Sequence, residues 1–232
     1  MDERTDRDLP IWVVGGGTLL VLFGVWIMNR GHETALWGTL AVAVFGFVFV
    51  AVAARIVADI GNSSSPISGM TIATLLGTGL LFTGMGFSGP ETMAAAIGVG
   101  AVVCIALAIA GDCSQDLKTG YLVGATPASQ QTGEMIGVVT SAITCAVVLM
   151  FLKDAYGFVP DDPSALAAGV APRETLLAAQ ANVIAMLLKG VLDTGLPWEL
   201  VLVGMACAFV VECLGVSSLA FAVGLYLPLY VT

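Results

Sequence analysis

Long apolar runs follow one another along almost the whole chain: Pro10–Met28, Ala35–Ala58, Ile67–Phe87, Met93–Ala110, Ile136–Leu152, Leu200–Leu214 and a shorter Ser217–Val231. A helix needs about 20 mostly apolar residues to cross the hydrocarbon core of a bilayer. Inside lipid every backbone polar group must be satisfied within the structure, which leaves helices or a closed barrel. Strict apolar–polar alternation over ten-residue segments is absent, and that alternation is what a membrane barrel requires. The runs therefore read as helices. Charged residues make up only 11% of the sequence, against roughly 25% in soluble domains, so no soluble fold of this composition clothes its own surface. The expected fold class is all-α: a polytopic transmembrane helix bundle of six or seven spans, multi-pass in the cell membrane.

Residues 1–9 read as a polar amino-terminal tail and residues 10–232 as the transmembrane domain. The tail carries Asp2, Glu3, Asp6 and Asp8 beside two arginines, and the apolar run behind it shows no cleavage site, so it is expected to be retained as a helix. Gly occurs 28 times, which suits close helix packing through small residues. A net charge of −9 argues against a nucleic-acid partner or an anionic surface and leaves membrane lipid as the expected surround. The five cysteines stand singly at 104, 113, 145, 207 and 213. None has metal-site spacing, so they are expected as buried free thiols, with no metal and no cofactor.

Two polar connections interrupt the pattern. Gly111–Glu134 mixes polar and small residues, and Lys153–Thr175 carries three prolines and reads as a water-exposed loop. Leu176–Val191, broken by Gln180, Asn182 and Lys189, is short for a span and is expected as a re-entrant or broken helix. If each run crosses once, Arg4, Arg7, Arg55 and Lys118 fall on one side and Arg30, Lys153 and Arg173 on the other, which favours a cytoplasmic amino terminus.

Polar residues at membrane depth carry the chemistry, because a charge at the bilayer centre costs about 2.5–3.5 kcal/mol on insertion scales. Asp112 and Asp116 are four apart and share a face if helical; two close carboxylates favour retention of a proton, and Lys118 is placed to neutralise one of them. A solvated loop with an incidental ion pair explains the same residues. Asn62, Ser63, Ser68 and Thr71 surround Pro66 and either line a polar cavity or cap a helix that starts with Ser65 and Pro66. Gln180 and Asn182 offer hydrogen bonds to a peptide-like solute or to a neighbouring helix. Glu212 sits inside an apolar run and suits either a proton carrier or a carboxyl facing the next loop. His32, the sole histidine, falls in a short connection and is expected in solvent.

Two of these stretches are longer than chance readily explains. N-S-S-S-P-I-S-G-M-T-I-A-T-L-L (62–76) and A-G-D-C-S-Q-D-L-K-T-G-Y-L-V-G-A-T-P (110–127) resemble signature stretches of the oligopeptide transporter family, which includes the yellow stripe-like carriers. A-Q-A-N-V-I-A-M (179–186), L-P-W (196–198) and A-V-G-L-Y-L-P-L (222–229) are similar to that family in the same order, so the resemblance covers roughly residues 40–232. It implies a secondary active transporter of small peptides or peptide-like metal chelates, coupled to protons. It places Asn62–Thr71 and Asp112–Tyr121, the latter including Gln115, Thr119 and Tyr121, near the translocation path. The family's members are usually more than twice this long, which implies the carboxy-terminal portion of a carrier and a second copy or separate amino-terminal half as partner.

Two other readings compete. One is a non-transporting membrane subunit or fragment that completes a split carrier. The other, more distant, is an intramembrane aspartyl protease, suggested by Gly111-Asp112; but Ile109-Ala110 stands where such a protease carries its preceding pattern, and no Tyr-Asp partner occurs. An enzyme is not expected.

Overall fold

A computed structural model describes residues 4–61, 66–156, 184–185, 187–194, 198–216, 218 and 221. Among them the chain is helical throughout, and no strand occurs. Helix α1 spans Ile11–Met28, α2 Ala35–Ile60, α3 Ile67–Gly84, α4 Pro90–Val123, α5 Pro127–Tyr156 and α6 Trp198–Cys213. The first five are long and apolar enough to cross a membrane, as the run lengths led us to expect. The last apolar run, Ser217–Val231, lies outside the described residues except for 218 and 221.

Short turns join α1 to α2, α3 to α4 and α4 to α5. Pro90 opens α4 at its first turn, where its missing N–H costs nothing. Gly124 closes α4 in the left-handed conformation (φ 72°), and the Ala125 N–H reaches back to the Gly120 carbonyl at 2.8 Å. The α1–α2 and α3–α4 turns therefore lie at one end of the bundle, and the α4–α5 turn at the other.

α4 is the axis of the packing. It lies against α2 and α3, while α1 rests on α2. Val99 joins Val25, Ala41 and Val42; Ala95 and Ala96 join Leu75, Phe82, Leu188 and Leu192; Val103 and Leu107 join Ala53 and Met70. The outward faces are as apolar as the core: Leu19, Leu20, Phe47 and Phe151 are all exposed, as lipid rather than water demands. α5 is the extreme case, since residues 139–151 are exposed without exception.

Two sequence expectations change. Gly111–Glu134 is not a separate connection: its first part extends α4 to Val123, its last part starts α5 at Pro127, and only residues 124–126 form the turn. Asp, Gln, Leu and Lys all tolerate helix, and nothing before Gly124 breaks one. The cysteines also differ. Cys104 and Cys113 are half-buried, but Cys145, Cys207 and Cys213 are exposed on outward faces, because an apolar run in lipid has no obligatory inside. Of the expected broken element, residues 176–183 fall outside the described residues. Residues 187–189 are helical and run into a π-helical turn, Gly190–Thr194, that packs on α3.

Gly100 tests this packing. A Cβ there falls on the Leu75 side chain, whereas one at Gly98 meets nothing within 4 Å. Gly100→Val is expected to cost about 1–3 kcal/mol by overpacking, read as a lower unfolding midpoint in detergent, with Gly98→Val close to wild type. Equal effects of the two substitutions would contradict the α3–α4 contact.

Candidate functional site

The polar half of α4 and the first turns of α5 form a helical hairpin at the α4–α5 end of the bundle. At 34 residues and about 1.5 Å per residue, α4 is roughly 51 Å long, against a hydrocarbon core of about 30 Å. Its carboxy-terminal part therefore has length to reach beyond the apolar layer. Ser114 and Thr119 donate to the carbonyls of Ala110 (2.7 Å) and Gln115 (3.0 Å), so these hydroxyls are used within the helix.

The expected site residues on α4 lie mostly on its surface. Asp112, Gln115, Asp116, Lys118, Thr119 and Tyr121 are exposed, while Gly111 and Gly120 are buried. Asp112 and Asp116 do share a face, being four apart on an unbroken helix. Lys118, two residues from Asp116 on the helix, projects about 200° away from it. Helix geometry thus sets Lys118 apart from Asp116.

α5 docks on this segment through amides. Gln130 Nε2 donates to the Asp116 carbonyl at 3.0 Å, and a Cβ at Gly120 would land on the same amide group. One residue on, Gln131 holds the stretch before α1: its Oε1 accepts the Leu9 N–H (3.1 Å) and its Nε2 donates to Asp8 Oδ1 (3.3 Å). The Ala128 N–H adds a bond to the Arg7 carbonyl at 2.9 Å. Residues 7–9 are in this way strapped across the start of α5.

Beneath the strap, α1, α4 and α5 enclose a cleft of about 880 Å³, apolar along Ile11, Val14, Leu20 and Val138. Its polar end holds Asp8, Gln131, Cys113 and Glu134, and Glu134 Oε1 is buried with no hydrogen-bond partner. Sequence reading passed over Glu134, Gln130 and Gln131. The available signal was their position within two turns of Pro127, at the polar start of an apolar helix.

The remaining expected residues sit apart from the hairpin. Ser68 is exposed in the first turn of α3, and Thr71 is buried with its hydroxyl bonded to the Ile67 carbonyl at 2.8 Å. Glu212 is exposed at the end of α6 and its Oε2 accepts the Ser218 N–H at 3.0 Å. Asn62, Ser63, Gln180 and Asn182 lie outside the described residues.

Apolar helices of spanning length around a polar hairpin and inter-helix clefts define a multi-pass integral membrane protein. The chain belongs to the oligopeptide transporter family: the family model described as "OPT oligopeptide transporter protein" matches residues 2–232. The match takes in α1 and the strap, well ahead of the roughly residue-40 boundary the motifs suggested. A curated protein of Haemophilus influenzae, named as a candidate oligopeptide transporter, is 32% identical over 208 residues; these cover 80% of this chain and 32% of that relative. The chain thus spans about one third of the length of the relative it matches. No solved structure matches it.

The Gln130–Gly120 contact is testable by a double-mutant cycle. Gln130→Ala removes one hydrogen bond and Gly120→Ala displaces the same amide, so each is expected to cost about 1 kcal/mol. Together they should cost little more than either alone, because they remove one interaction. Full additivity of the unfolding midpoints would show that the two residues do not meet.

Proposed function

We propose that this chain forms part of a secondary active carrier that moves small peptides or peptide-like metal chelates across the membrane, coupled to protons. The observation that carries this reading is the continuity of α4: the string Gly111–Tyr121 that resembles the family signature sits on the same helix that organises the transmembrane core. Such a helix joins a water-accessible polar segment to the packed bundle, so solute or proton contacts at Asp112 and Asp116 act directly on helix positions. Ser68 and Thr71 in α3, with Asn62, Ser63, Gln180 and Asn182, are further members of the proposed path. Membership of a transporter family favours this over an intramembrane protease.

The path is completed by a partner, either a second copy or a separate amino-terminal half. Carriers typically bind solute between two related repeats whose broken helices meet near the membrane midplane. Here residues 139–151 of α5 are exposed throughout among the described residues, and the aligned length is one third of the relative's. A subunit that only completes a partner's fold is the second reading, favoured by the same two facts.

The test is uptake of labelled di- to tetrapeptides into proteoliposomes under an imposed pH gradient, with the mass of the assembly measured in parallel. Wild-type protein is expected to transport as an assembly larger than one chain. Asp112→Asn is expected to lose stimulation by the gradient while retaining solute binding. A monomer that transports would refute the need for a partner, and an unchanged pH response in Asp112→Asn would remove Asp112 from the coupling step.

A further inference from the structure

α1 rests on α2, and α5 rests on α4. α1 and α5 therefore face each other across the 880 Å³ cleft, with Ile11 and Val14 on one wall and Met135 and Val138 on the other. At the polar end the lining includes the strap itself, Asp8 and Leu9. Three hydrogen bonds hold that strap to the first turns of α5. Further along, residues 139–151 of α5 are exposed throughout.

Two of the three bonds belong to Gln131, and they have opposite polarity. Its Oε1 accepts from the Leu9 N–H, and its Nε2 donates to Asp8 Oδ1. A primary amide is the side-chain group that offers an acceptor and a donor on one plane. Turning that amide over would set its oxygen against the Asp8 carboxylate and its N–H against the Leu9 N–H. The pairing thus fits in one orientation. The third bond, from the Ala128 N–H to the Arg7 carbonyl, uses an amide that the start of α5 leaves without an intrahelical partner. Asp8 and Arg7 are exposed, so water competes for these bonds. Breaking them leaves the backbone bonding within α1 and α5 intact.

We propose that residues 7–9 are a latch on this cleft, with Gln131 as its catch. Closed, the latch fixes the first turns of α5 beside the start of α1 and covers the polar mouth. Released, it lets those turns move apart and admits water and water-soluble solutes to Cys113, which is half-buried in the cleft lining. Cys113 lies within the Gly111–Tyr121 string of α4, so the latch governs access to the cleft side of that segment. The device is a property of the fold and does not rest on the transport of any solute.

The experiment measures the rate at which a charged, water-soluble maleimide alkylates Cys113 in the full chain in lipid nanodiscs. Cys113 is kept as the single thiol by Cys104→Ala, Cys145→Ala, Cys207→Ala and Cys213→Ala. Gln131→Glu keeps the acceptor for the Leu9 N–H but sets a second carboxylate against Asp8. It is expected to speed labelling roughly ten-fold, as for loss of a charge-assisted hydrogen bond. Adding Asp8→Asn to Gln131→Glu restores a donor–acceptor pair with its polarity reversed, and is expected to return labelling to the original rate. Asp8→Ala alters an exposed side chain and removes one of the three bonds, so it is expected to speed labelling by a smaller factor. If Gln131→Glu does not fold, Asp8→Ala decides by the same criterion. Labelling at the original rate in Gln131→Glu and Asp8→Ala would overturn the latch. So would a double variant that labels as fast as Gln131→Glu alone, because loosening without regard to the pairing would then explain the rate.

Discussion

In hydrocarbon a backbone amide has no water to turn to, so the chain satisfies its peptide groups within each spanning segment. α4 shows how far this constraint reaches. Once its first turns are set at Pro90, the cheapest continuation is more helix, and the helix runs on through Gly111 to Val123 although the side chains turn polar. It stops where Gly124 allows the left-handed turn. The helix that gathers the three core clusters therefore also carries Asp112 and Asp116, and the position of each polar residue is set by the packing of Ala95, Val99, Val103 and Leu107 below it.

Both ends of the bundle are tied across by polar side chains. At the hairpin end, amide side chains supply the bonds: Gln130 to the Asp116 carbonyl, and Gln131 to the Leu9 N–H. At the opposite end, two helix amino termini converge without side-chain caps, and His32 and Glu91 join the turns instead. Among the described residues the charged groups of these two ends lie apart from the packed middle, where the buried polar side chains are threonines such as Thr74 and Thr78. The α5 surface between them is apolar and exposed over residues 139–151, the condition of a helix that faces lipid or another helix.

How much of this was legible follows from which interactions are local. Run length alone located α1 to α5, because lipid imposes a minimum length on every span. Run composition placed the end of the fourth span wrongly at Ala110: hydropathy falls at Gly111, but helix propensity does not, and propensity with intrahelical bonding decides where a helix ends. The shared face of Asp112 and Asp116 was readable from spacing, and the same geometry separates Lys118 from Asp116. Contacts between distant segments were not readable. Nothing local to His32 announces Glu91, and nothing near Asp8 announces Gln131, since both pairings arise only when helices return to the same end of the bundle. The exposed cysteines belong to the same class, because apolar residues in lipid face outward as readily as inward.

The central claim is that α4 is one unbroken helix carrying the polar string from the packed core into the hairpin. A spin-label scan of residues 105–123, one position at a time in a cysteine-free background, tests it most directly. The account predicts accessibility and mobility that oscillate with a period of about 3.6 residues, with minima at Leu107 and Gly111, maxima at Asp112, Asp116 and Thr119, and a local drop at Gly120 where Gln130 covers it. Loss of that period beyond Gly111, with uniformly high mobility through Thr119, would contradict it.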